Sequence, residues 1–300
     1  MNESHLLFYK RSARLGTLAS IIGLLVLGGC SPEASQEPER VSGEPIELGS
    51  GTAHAYADLN PDGSPLAIGI AVTKRSMETL PTDKGKNPAR CFDVDGDEDL
   101  DVHSECLGDH PFTISLQDVL ARSPETHFKW IGVDWNPLGH IPPGVYDLPH
   151  FDVHFYMASR ESVRQIRPGT CGEMVDCEDF ERGIKPVPAK YVAPDYVDLQ
   201  VVAPDMGNHL IDTTSPELGD PPVKFTHTFI YGAYDGQITF YEPMITAEFL
   251  LSNPDVCVPL KLPEAYEMAG YYPTQYCMRR VADEELYTIS LEGFVHRVAS

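Results

Sequence analysis

Asp235-Gly236 stands between two runs of mixed apolar and polar residues, Lys224 to Ala233 and Gln237 to Met244, and constrains the fold more than any other feature of the chain. An Asp-Gly pair suits a two-residue hairpin turn, so the flanking runs become antiparallel strands in a fixed register. If Tyr234 faces Gln237, then Phe229 faces Glu242 and His227 faces Met244, which makes His227 and Glu242 diagonal neighbours about 7 Å apart on one face. Their company on this hairpin is apolar: Phe225, Phe229, Ile238, Phe240 and Met244. A carboxylate and an imidazole in such surroundings must pair, hydrogen-bond or ligate a metal, because an uncompensated buried charge is costly. A satisfied His–Glu core pair and a ligand set are both consistent with that requirement.

Short β-branched and aromatic runs recur along the chain, at Thr52 to Ala57, Leu66 to Thr73, His127 to Trp135, Phe151 to Met157, Gln275 to Val281 and Leu286 to Val295. Clusters of Pro, Gly, Asn and Asp separate them, the punctuation of strands. Only Ser159 to Gln165, Thr246 to Leu251 and Glu264 to Met268 read as helical, each for a turn or two. The expected fold is therefore all-β, a single antiparallel β-sandwich or barrel with a few short helices over residues 50–300. With 42% hydrophobic residues the chain can build a packed core.

The N-terminus reads as an address. Lys10, Arg11 and Arg14 precede an apolar run from Leu15 to Leu27, which ends in Leu27-Gly28-Gly29-Cys30. This resembles a bacterial lipoprotein signal, in which residues 1–29 are removed and Cys30 carries the lipid. An uncleaved membrane helix is the alternative, and the run is short against the ~20 residues such a helix needs. Ser31 rather than Asp after the cysteine points by resemblance to the outer membrane of a bacterial cell envelope. Residues 30–49 are rich in Ser, Pro and Glu without hydrophobic periodicity and read as a flexible tether. The whole chain carries −23 and the mature part −25, which excludes a general nucleic-acid binder. The expected partners are the membrane, through the lipid, and a small ligand.

With Cys30 taken by lipid, an even number of cysteines remains in an oxidising compartment, where disulfides are the default. Nearest neighbours suggest Cys91–Cys106, Cys171–Cys177 and Cys257–Cys277, and no Cys-x-x-Cys spacing supports zinc. Between the first pair, in the segment 91–106, Asp93, Asp95, Asp97, Asp99 and Asp101 occupy alternate positions. Carboxylates at positions one, three, five and nine with a carbonyl at seven can wrap calcium, a hard cation that takes six to eight oxygens. The spacing resembles the Asp-x-Asp-Gly-Asp calcium loops of extracellular repeat proteins, and departs from an EF-hand at Glu98 and Ser104. A solvated acidic loop is the alternative. Ion and bridge together would staple the excursion, the bridge adding about 3 kcal/mol in the chain-entropy model.

In Pro149-His150-Phe151-Asp152-Val153-His154-Phe155-Tyr156-Met157 the polar and apolar residues alternate. As a strand, the segment sets His150, Asp152, His154 and Tyr156 on one face and Phe151, Val153, Phe155 and Met157 on the other. A helix would bring His150 and His154 one turn apart, but the β-branched and aromatic content favours strand. At about 3.3 Å per residue the two histidines then lie ~13 Å apart, too far to share one ion, whereas Asp152 with either is feasible. Joining this polar face to the hairpin's groups needs the strand buried on both sides or facing a barrel lumen. His209, in Met206-Gly207-Asn208-His209, reads as sitting in a turn, where a lone histidine is either a site residue or merely solvated. Asp134 and His140 add two polar groups beside Trp130 and Trp135, to line a cleft or simply pack.

The segments PPGVYDLPHFDVHFYM, MGNHLIDTTSPEL and FTHTFIYGAYDGQITFYEPMIT resemble an exported bacterial family of unknown function, first represented by a Thermus protein. The resemblance spans roughly residues 52–255. It places His150, Asp152, His154, His209 and Glu242 in the family's motif segments and implies no reaction, cofactor or substrate. The aspartate loop looks like an insertion to that pattern. Common hydrolase, zincin, dinucleotide and phosphate-loop signatures are missing. The reading that emerges is a lipid-tethered β domain with a His/carboxylate site for a divalent transition metal or small ligand, drawn from His150, Asp152, His154, His209, His227 and Glu242. A metal-dependent enzyme using Glu242 or Asp152 as general base is the alternative, and an envelope interaction protein without a ligand site is the second.

Overall fold

A computed structural model describes residues 37–300, which form one compact unit. The chain is all-β, two antiparallel sheets face to face with no closed barrel. The first sheet comprises β1 (Glu39–Ser42), β2 (Ile46–Leu48), β3 (Gly51–Leu59), β4 (Pro65–Thr73), β13 (Asp255–Pro259), β15 (Gln275–Val281) and β16 (Leu286–Glu292). Its order is β1-β3-β4-β16-β15-β13, with β2 also paired to β3. The second sheet comprises β5 (His110–Ser115), β6 (Trp130–Asn136), β7 (His150–Tyr156), β9 (Tyr196–Ala203), β10 (Gly207–Asp212), β11 (His227–Tyr234) and β12 (Gln237–Thr246), in the order β5-β6-β7-β12-β11-β10-β9. The short strand β8 (Pro168–Cys171) stands apart, and β14 (Gly270–Tyr272) pairs with β17 (Val295–Arg297).

The core lies between the sheets. Ala55, Ile68, Ile70, Met278, Ile289 and Leu291 from the first meet Ile131, Val133, Phe151, Val153, Phe155 and Ile245 from the second. Each large side chain so buried contributes about 1.5–3 kcal/mol of transfer free energy. All three expected disulfides form: Cys91–Cys106, Cys171–Cys177 and Cys257–Cys277.

Four helices of one or two turns sit at strand ends: α1 (Lys74–Met77), α2 (Arg160–Val163), α3 (Cys177–Gly183) and α4 (Ala247–Leu251). Thr73, Ser159, Asp176 and Thr246 cap their N-termini by accepting backbone N–H bonds. Glu264 to Met268, expected as a helix, is irregular. The tether expected over 30–49 does not extend through its second half, and residues 30–36 lie outside the described residues. Residues 39–48 join the first sheet as β1 and β2, because Leu48 reaches the core and Arg40 makes a bidentate pair with Asp58 at 2.7 and 2.8 Å. Cys30 and the signal segment lie outside the described residues.

Candidate metal centre

The polar site occupies the outer face of the second sheet. Alternation along β7 sends Phe151, Val153 and Phe155 into the core and His150, Asp152 and His154 to that outer face, yet every residue of β7 is buried. Aromatic packing accounts for part of the cover: Trp130 stacks on Tyr156 at 3.9 Å, and Tyr146, Phe225, Ile230 and Met244 form a small cluster of their own. The strand is thus buried on both sides, the condition that the sequence sets for joining its polar face to the hairpin.

Register brings the remaining donors to the same face. Asp134 on β6 faces Asp152, and the pairs Tyr241–Phe155 and Met244–Asp152 on either side of Glu242 align it with His154. His209 belongs to β10, not to a turn, and pairs with Gly232 on the intervening strand. A Cβ on Gly232 would collide with the Phe240 ring, so glycine is what lets that ring lie across the strand, against which both His209 and His154 pack.

Two triads result. In the first, His154 Nε2 stands 3.4 Å from Glu242 Oε1 and His209 Nε2 stands 3.8 Å from Glu242 Oε2. In the second, His150 Nε2 lies 3.1 Å from Asp152 Oδ1 and His140 Nε2 lies 3.2 Å from Asp152 Oδ2. Three of the four histidines direct Nδ1 at a carbonyl: His209 at Val201 (2.9 Å), His150 at Leu148 (2.6 Å) and His140 at Ile141 (2.7 Å). His154 Nδ1 instead stands 3.3 Å from Asp134 Oδ2. A neutral ring whose Nδ1–H donates to a carbonyl keeps Nε2 as a bare lone pair. For His209 and His150 that lone pair faces a carboxylate oxygen, acceptor against acceptor, whereas His140 Nε2 hydrogen-bonds Asp152 Oδ2. Among the described residues, both nitrogens of His154, His150 Nε2, Glu242 Oε2, Asp152 Oδ1 and Asp134 Oδ2 are buried with no hydrogen-bond partner.

Arg90 is the cation at the centre of the neighbouring carboxylates. Its Nη1 bonds to Asp109 and, at 2.7 Å, to Asp134 Oδ1, while Arg160 pairs with Asp205 at 2.5 Å. Burial disfavours the guanidinium, but Asp109 and Asp134 outweigh that and hold it charged. Asp109, Asp134 and Asp205 pair with these two arginines, while Asp152 and Glu242, buried beside them, have no arginine partner.

The titration of the site follows from that arrangement. Burial pushes Glu242 well above the usual carboxyl range, with Asp152 and Asp134 adding to the shift. Burial also raises Asp134, to about 7, against the pull of Arg90. It lowers His154 strongly and His209 to about 4. Asp152 behaves in the opposite way: burial disfavours its charge, but His150 and His140 beside it keep it ionised, well below the usual range. His140 is raised in turn, the Asp152 carboxylate overcoming the effect of burial.

His227, expected beside Glu242, is not in this group. The turn does pair Tyr234 with Gln237, but a bulge between Gly232 and Ala233 shifts the register, so Ile230 faces Glu242 and His227 faces Ile245. A slip of one residue exchanges the faces of a strand. His227 consequently points between the sheets, with Nδ1 2.8 Å from the Tyr276 hydroxyl and its ring against Phe249.

The aspartate loop is also a separate place. Asp93, Asp95 and Asp97 each bring a carboxylate oxygen within 4.8 Å of the others, and these residues accept backbone N–H bonds from Gly96, Glu98, Asp97 and Asp99. Asp101 turns to His103 and Ser104, and buried Glu105 takes N–H bonds from Val94, Asp95 and Asp101. Asp99 is almost fully exposed, at 92% of its side chain.

Sequence reasoning misses Arg90, Asp109 and Asp205, and gives Asp134 and His140 little weight. The Cys91–Cys106 bridge is the available signal for Arg90, since it fixes the residue beside it. No protein-family model matches this chain, and neither the curated proteins nor the solved structures compared with it give a match.

Proposed function

We propose that the domain binds a divalent transition metal through His154 Nε2, His209 Nε2 and Glu242, with retention of the ion rather than turnover as its role. The observation that carries this reading is the convergence of His154 Nε2 and His209 Nε2 on one buried carboxyl, with both His154 nitrogens and Glu242 Oε2 lacking any hydrogen-bond partner. Two ligands each ~2.1 Å from a tetrahedral ion stand about 3.4 Å apart, close to the 3.4 and 3.8 Å separations found. Val201 would orient His209 and Asp134 would orient His154 from the outer shell, as metal-bound imidazoles require. Two imidazoles and a carboxylate suit zinc or Fe(II) better than calcium or magnesium. His154 and Glu242 are buried and His209 keeps only 11% of its side chain exposed, which favours retention of an ion over turnover.

We place this domain on the bacterial cell envelope, held by lipid on Cys30, and assign the aspartate loop a separate, structural calcium. The test of the metal reading is elemental analysis of the wild type, His209→Ala and Glu242→Gln, purified alike without chelator and with calcium present. Glu242→Gln keeps shape and hydrogen-bonding capacity while removing the charge, so it should fold and lose the ion. Wild-type protein without transition metal, and with thermal stability indifferent to added zinc, would refute the reading.

A further inference from the structure

We propose that His140, His150 and Asp152 hold a second divalent ion, independent of the first and reachable from solvent on the His140 side. The inference rests on the reading that this face takes metals, but its donors are a different set. His150 and Asp152 are buried, and His150 Nε2 and Asp152 Oδ1 face each other at 3.1 Å with no hydrogen bond between them. His140 Nε2 closes the triad 3.2 Å from the other oxygen of Asp152. Leu148 and Ile141 carbonyls fix the Nδ1 atoms of His150 and His140, and Asn136 Nδ2 donates to Asp152 Oδ2 at 2.7 Å, so each candidate ligand has an outer partner.

Two separate ions fit better than one bridged pair. Asp152 and His154 are two residues apart on one face of β7, about 6.6 Å along a strand, whereas bridged two-metal centres keep their ions ~3.5–4 Å apart. The surroundings differ as well. The first triad packs against Phe240 with His209 at 11% side-chain exposure, but His140 belongs to the loop between β6 and β7 and keeps 30% of its side chain exposed. An ion held there has two buried ligands and one at the rim. The competing account is an imidazolium of His140 paired with Asp152, which needs no metal.

Chelator-stripped protein loaded with zinc in excess calcium, then gel-filtered and analysed for metal, separates these accounts. The wild type should hold two zinc ions per chain, His140→Ala one, His209→Ala one, and the double variant none. His140 also packs on His150 and Tyr146, so Asp152→Asn offers a second, isosteric variant that should likewise hold one ion. Chelator should remove the His140-dependent ion at least tenfold faster than the other. One ion in the wild type that survives His140→Ala would overturn this proposal and leave the first site standing. A single ion lost only in His140→Ala would do the reverse, a single ion lost in both single variants would show one shared site and overturn the pair, and no ion at all would sink both.

Discussion

Arg90 Nη1 donates to Asp134 Oδ1 at 2.7 Å, while the other oxygen of the same carboxylate stands 3.3 Å from His154 Nδ1. One buried carboxylate thereby links the fold's central cation to the imidazole of the first triad. Arg90 reaches that position from the base of the 91–106 excursion, where Leu107 N–H donates to its carbonyl and the Cys91–Cys106 bridge follows.

Replacing Arg90 by Met should strand Asp109 and Asp134 without a counter-charge. Breaking a buried pair by removing one partner costs about 3–5 kcal/mol. Urea denaturation of metal-free protein should show a loss of that order, and added zinc should restore part of it by supplying positive charge near the same carboxylates. A variant within experimental error of the wild type would mean that these carboxyls are protonated and need no cation.

His209 predicts the direction of an acid transition in the metal-free protein. Burial lowers its folded-state pKa to about 4, whereas an unfolded histidine titrates near 6.5. The unfolded chain therefore takes up a proton first as pH falls. Stability contributed by neutral His209 is whole above about 6.5 and is lost progressively down to about 4, on the order of 3 kcal/mol in all. Glu242 and Asp134 act the other way, since their raised values favour proton uptake by the folded state. The clean measurement is the stability difference between wild type and His209→Gln at pH 7.5, 5.5 and 4.5. It should shift against the wild type as pH drops; a constant difference would show that His209 titrates normally.

The site's donors differ in how visible they are from sequence, for local reasons. His150, Asp152 and His154 are legible because strict alternation in β7 fixes their common face whatever the partner strands do. His227 is misplaced because its face depends on a bulge between Gly232 and Ala233, where the Phe240 ring lies against the glycine, and the turn residues alone do not announce it. His209 carries a glycine two residues before it and so resembles a turn residue, yet Gly207 opens the strand β10. Arg90 leaves no local trace at all: its charge partners lie 19 and 44 residues away in sequence. The sandwich itself is readable from its long central strands, while the edge strands β5, β9 and β13 carry Pro, Asp or Gln and β1, β2, β14 and β17 are only three or four residues long.

Calcium at the aspartate loop should be detectable without any change in the metal centre. Asp93, Asp95 and Asp97 converge within 4.8 Å and are exposed or half-buried, as expected of a weak extracellular site rather than a buried one. Affinities of such modules lie near 10⁻⁴ to 10⁻³ M. Calorimetry at millimolar calcium should give heat for the wild type and none for Asp95→Ala with Asp97→Ala, and both proteins should hold the same amount of zinc. Equal heats would leave a hydrogen-bonded acidic loop, which Glu105 already organises through three backbone amides.

The anchor prediction is sharpened by where the fold begins. β1 starts at Glu39 and is tied to β3 through Arg40 and Asp58, so only residues 31–38 separate Cys30 from the first strand. Eight residues span at most about 28 Å when fully extended, which would hold the domain close against the membrane rather than on a long leash. Among the described residues no helix is long and apolar enough to cross a membrane. Cys30→Ala should convert the protein from a membrane-associated to a freely extractable form, and wild-type protein should resist high-salt washing because acyl chains, not charge, retain it. Inserting a Gly/Ser stretch after Ser31 should leave association unchanged while exposing the 31–38 segment to added protease. A Cys30→Ala protein still sedimenting with membranes after the salt wash would replace the lipid anchor with an uncleaved apolar segment.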